Sequence, residues 1–140
     1  MPRLVKISPE GATAVWGFHG PCNTHDVAKA ITQIAGGLNG ANHVIDIMSG
    51  THGYCTGRVG AVASRDQRFF DSDKKLASPK TAGGLDVTLA VHDFHNAGFS
   101  GPDPVTAAMA KLNGEMRRIV GSDGKSHTFL LAYCCSAGTQ

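Results

Sequence analysis

Four short apolar runs constrain this chain more than any other feature: Ala12–Phe18, His43–Met48, Leu85–Val91 and His127–Tyr133. None shows the clean polar alternation of a strand with one wet face, so both faces of each strand have to be covered. Helical patterns separate them, and parallel strands need crossovers of that kind. The expectation is one α/β domain over residues 1–140, a three-layer α/β/α sandwich with a mainly parallel sheet of about four strands.

The helices carry their own start and stop signals. Between about Thr24 and Leu38, Val27, Ile31, Ile34 and Leu38 form one apolar stripe, Asn23 or Thr24 stands ready as the cap, and Asp26 lies in the first turn. The second strong pattern has Asp103 as cap and Pro104 at the first helical position, with Val105, Ala108, Leu112, Met116 and Ile119 on one face. Arg117 and Arg118 fall in its last turn and Gly121 beyond it. A shorter helix over about Arg65–Leu76 follows from Ser64 and Gln67, which match a capping box, and from Pro79 as the stop.

Composition narrows the function classes. With a net charge of +2 and no dense basic patch, no nucleic-acid partner is expected. No apolar run is long enough for a membrane span or a signal peptide, so no membrane association is expected and the cytosol is the expected compartment. A chain of 140 residues that is 41% hydrophobic can build a core without staples, so its four cysteines are read as free thiols. The 18 glycines form no repeat and are placed in loops.

Nine of the eleven Cys and His residues fall in or beside the loops that leave strand carboxyl ends: His19, Cys22, His25, His52, Cys55, His92, His95, Cys134 and Cys135. Only His43 and His127 fall at strand beginnings. In parallel sheets ligands bind beyond the carboxyl ends of the strands, so this edge is the expected site. A thiolate there can attack an electrophilic carbon while a histidine accepts and returns the proton. Cys135 precedes the small-residue turn Ser136-Ala137-Gly138, whose backbone N–H groups are candidates for holding an oxyanion. His52 precedes Gly53, which permits close approach. His92 and Asp93 close the third strand at the same edge and are candidates for an alternative base or an orienting group.

The motifs Met48-Ser49-Gly50-Thr51-His52-Gly53 and Tyr133-Cys134-Cys135-Ser136-Ala137-Gly138 resemble those of caspase-like cysteine peptidases, especially metacaspases. The resemblance implies His52 as general base, Cys135 as nucleophile and Gly53 as oxyanion donor, with Cys134 in the neighbouring, non-nucleophilic position. Thr51 is an insertion against that pattern, Ala137 replaces serine, and Tyr133 stands where metacaspases usually carry an acidic residue, so basic-residue specificity is not implied. In that family the histidine and the cysteine end adjacent strands, whereas here a further strand and helix separate them in sequence. With Cys135 five residues before Gln140, the layout is also similar to the toxin modules that end bacterial polymorphic or secretion-system effectors. That likeness widens the chemistry to deamidation of glutamine or asparagine, implies a protein or small amide substrate and an immunity or activating protein, and implies delivery into a target-cell cytosol. No cofactor is needed for either reaction.

Three other readings stay open at this point. His19-x2-Cys22-x2-His25 and His92-x2-His95 place zinc-type ligands at short spacings, which makes a metal-binding domain or a non-enzymatic interaction module the alternative function. Gly17-x2-Gly20 before a helix N-terminus has the look of a phosphate cradle, although Pro21 and Cys22 interrupt it. Strand order decides the base: in a 2-1-3-4 sheet the third and fourth strands are neighbours, and His92 lies nearer Cys135 than His52 does.

Overall fold

The computed structural model describes residues 2–7, 13–38, 42–49, 79–93 and 104–137. In chain order the elements are β1 (Arg3–Lys6), β2 (Val15–His19), α1 (Thr24–Gly36), β3 (His43–Ser49), β4 (Thr88–Asp93), α2 (Pro104–Val120) and β5 (Ser126–Leu131). They form a five-stranded sheet in the order β1-β2-β5-β3-β4. The pairs β2–β5, β5–β3 and β3–β4 are parallel, as crossover helices require, and β1 is the antiparallel edge strand. The expected parallel core is present, and β1 is an addition to it. Its four residues contain only Leu4 and Val5 as apolar positions, too short a signal to read from pattern alone.

Side-chain alternation along the strands divides the core into two. On one face Phe18, Ile45, Ile47, Leu130 and Ala132 pack with Val27, Ala30, Ile31, Ile34 and Ala35 of α1. On the other, Met48, Phe129, Leu131 and Tyr133 pack with Leu112 and Ile119 of α2. The helices therefore cover opposite faces, which is the three-layer arrangement that apolar runs of this kind require. The stripe expected on α1 is buried at Val27, Ile31 and Ile34, with Leu38 half-buried against it.

Asn23 is the cap of α1. Its side chain accepts the Asp26 N–H at 2.9 Å, and the Asp26 carboxylate accepts the Asn23 N–H at 3.0 Å, closing a capping box. Two boundaries move relative to the sequence pattern. The third apolar run begins as a turn rather than a strand of the sheet, because Thr81 N–H reaches the Leu85 carbonyl around Gly83-Gly84, and pairing with β3 starts only at Thr88. It then runs on to Asp93, so His92 and Asp93 are strand residues opposite Met48 and Ser49. Asp103 and the expected helix over about Arg65–Leu76 lie outside the described residues.

Replacing Asn23 with alanine removes one half of the capping box, and a loss of about 1 kcal/mol of unfolding free energy is expected in urea titration.

Candidate active site

The carboxyl ends of β3 and β5 lie side by side. Their ladder runs from His43 opposite Ser126 to Met48 opposite Leu131, and one further bond, Ala132 N–H to the Met48 carbonyl at 2.9 Å, carries it past the end of β5. The chain thus enters Tyr133-Cys134-Cys135 while still paired with the segment that leads into Ser49. His52, Gly53, Cys55, His95 and Gly138 lie outside the described residues. Among the described residues β4 pairs with β3 and not with β5, so the order in which the third and fourth predicted strands are neighbours does not occur, and β3 stands between His92 and the strand leading to Cys135.

Beyond β5 the chain turns sharply and docks on β2. Cys135 takes a left-handed backbone with φ of 52°. Its N–H bonds to the Gly20 carbonyl and the Ala137 N–H to the Phe18 carbonyl, each at 2.9 Å. Ser136 Oγ accepts the Phe18 N–H at 2.9 Å and donates to the Leu131 carbonyl at 3.1 Å. Gly17 exists for this contact, because a Cβ there would stand 2.8 Å from Ser136 Oγ. That packing role accounts for Gly17 without a phosphate. Of the turn's N–H groups considered for an oxyanion, that of Ala137 is committed to the Phe18 carbonyl.

The cysteines differ from one another. Cys135 is fully buried and disulfide-bonded, which overturns the reading of four free thiols, while Cys22 and Cys134 are free and half-buried. Tyr133 is buried in the α2-side core, where withdrawal from water pushes its phenol pKa up and its hydroxyl has no partner among the described residues. The expected ligand spacing His19-x2-Cys22-x2-His25 does not converge: His25 is exposed on the first turn of α1, and Cys22 faces Cys134. Among the described residues no three His, Cys, Asp or Glu side chains form a metal-binding group.

A polar network unanticipated by the motifs crosses the α2 face of the sheet. Asp46, in the middle of β3 and 1% exposed, accepts His92 Nε2–H at 2.7 Å through one oxygen and His127 Nδ1–H at 2.5 Å through the other. His127 Nε2 reaches Asp123 at 2.8 Å. Both ring nitrogens of His127 thus face carboxyl oxygens, an arrangement that favours the imidazolium. Desolvation pulls the His127 pKa down, but the hydrogen bonds to Asp123 and Asp46 and their charges outweigh it, and the pKa is raised above 6.5. The Asp123 carboxyl is held below 3.8, chiefly by the His127 hydrogen bond. His43 is shifted the opposite way, first by desolvation and then by the charge on His127. The sequence signal was available: a carboxylate interrupts the apolar run His43–Met48, and a buried charge needs partners.

Residues 10–140 match Tox-HDC, a family described as toxin with a H, D/N and C signature. The chain belongs to this family. No curated protein and no solved structure matches it. The toxin-module likeness is therefore confirmed at the level of the family. No helix among the described residues is long and apolar enough to cross a membrane.

Two measurements follow from this geometry. Ser136→Ala leaves the buried Phe18 N–H without its acceptor, and a loss of about 1–3 kcal/mol in unfolding free energy is expected. The His127 contribution has a definite sign: its folded pKa is raised, so the stabilisation is complete below 6.5 and is lost as pH rises through the folded value. Urea midpoints should fall as pH rises above about 6.5, and His127→Gln should flatten that decline.

Proposed function

We propose that this toxin domain is a cysteine-dependent hydrolase of amide bonds, with Cys135 as nucleophile and His52 as general base. The observation that carries the reading is the pairing of β3 with β5 up to the Met48–Ala132 bond. The two motifs are far apart in sequence, yet their strands are neighbours, as they are in the caspase-like pattern that the motifs resemble. In chain order His52, Asp93 and Cys135 follow β3, end β4 and follow β5, which agrees with a signature of H, D/N and C. Asp93 is then the candidate for the group that orients the histidine. The left-handed backbone of Cys135 supports the same role, since strained residues of this kind, costing roughly 1–3 kcal/mol, concentrate at functional sites.

In the proposed reaction His52 takes the Cys135 thiol proton and the thiolate attacks the amide carbon. The Gly53 N–H steadies the oxyanion, and the imidazolium returns the proton to the leaving nitrogen. Water then cleaves the thioester. The substrate is a peptide bond or the carboxamide of glutamine or asparagine. A disulfide-bonded Cys135 has no thiolate, so the bridge has to be reduced before the first step. Delivery into a reducing target-cell cytosol meets that requirement, and an immunity or activating protein is the partner expected to control the site.

Cys135→Ala and His52→Ala should each bring toxicity in an expressing cell down to background while the far-UV circular dichroism spectrum is unchanged. Full toxicity of Cys135→Ala would overturn the assignment. Purified protein should be inactive against amide substrates until treated with a phosphine reductant.

A further inference from the structure

Two sulfurs that the proposed reaction does not use meet at the same edge. Cys22 immediately precedes the Asn23 cap of α1, and Cys134 lies on the turn after β5, 112 positions later. Cys134 Sγ accepts the Cys22 N–H at 3.3 Å and donates to the Cys22 carbonyl at 3.3 Å. Each backbone is fixed independently, Cys22 beside the Asn23–Asp26 capping box and Cys134 beside the Cys135 N–H bond to Gly20. The sulfur of Cys134 thus rests directly on the backbone of Cys22, the kind of close approach that a disulfide between the two needs.

We propose that Cys22 and Cys134 form a reversible oxidation site, which a low-molecular-weight disulfide converts into a bridge tying the entry of α1 to the turn that carries Cys135. The Cys134 thiolate attacks one sulfur of the reagent, the reagent's S–S bond breaks, and one thiolate leaves and takes up a proton. Cys22, after losing its proton to solvent, attacks the Cys134 sulfur of the mixed disulfide and expels the second thiolate. Two protein S–H bonds become one S–S bond, and the reagent's disulfide becomes two thiols, so the two electrons balance.

The environment orders the steps. Burial first, then the charge and the hydrogen bond of Cys134, push the Cys22 thiol pKa up, so Cys22 holds its proton and is the second of the two to react. Capture of the reagent by Cys134 removes the two influences that come from Cys134 while burial still holds the Cys22 proton, so closure of the bridge is the slower step. The proposal stands apart from the amide-hydrolase reading, because that reading needs neither sulfur.

The test is peptide mapping of the fully reduced chain after incubation with glutathione disulfide, with free thiols alkylated before digestion. Fragmentation between Cys134 and Cys135 should place the link at Cys22–Cys134, and dithiothreitol should reverse it. The link should persist in Cys135→Ser and vanish in Cys134→Ser, with circular dichroism verifying that each variant is folded. Full alkylation of Cys22 across the titration would overturn the proposal. So would a link from Cys22 that maps to Cys135, or a wild-type protein that stops at glutathione on Cys134.

Discussion

The ladder between β3 and β5 is the contact on which the rest of the molecule depends. β5 is bonded on both sides, to β3 over His43–Met48 and to β2 through Val15 and Trp16, so it sits in the middle of the sheet with both faces covered. The same strand supplies Leu130 to the core beneath α1 and Phe129 and Leu131 to the core beneath α2. Its last pairing bond, from Ala132 to Met48, determines where the turn bearing Cys135 leaves the sheet.

The turn itself is held by β2 rather than by its own sequence. Three bonds, from Cys135 to Gly20, from Phe18 to Ser136 and from Ala137 to Phe18, lock a left-handed residue that would otherwise be strained. The same locking sets Cys134 against Cys22. Small residues at Gly17 and Ala137 let the backbones approach, so docking explains the short Ser136-Ala137 sequence.

Asp46 presents a different balance. A buried ion pair is a weak source of net stability, and an apolar residue between Ile45 and Ile47 would avoid the cost of desolvation. The carboxylate survives there because each of its oxygens is satisfied by a histidine. Its partners lie on both neighbouring strands, His92 toward the carboxyl edge and His127 toward the amino edge, so the network also reports the strand order.

Much of this was legible in one dimension. Helical periodicity, the Asn23 and Asp26 cap and the apolar runs depend on residues close in sequence, so they specified the α/β layers. The short antiparallel β1 escaped because four residues carry too little pattern. The start of β4 was displaced because the Gly83-Gly84 turn takes up Leu85. Tertiary structure alone decided that β3 rather than β4 lies beside β5, that Cys135 is buried and bridged while Cys134 meets Cys22, and that Asp46 joins His92 to His127. Those facts depend on pairing between segments tens of residues apart, and local periodicity carries no record of which strand a segment chooses as its neighbour.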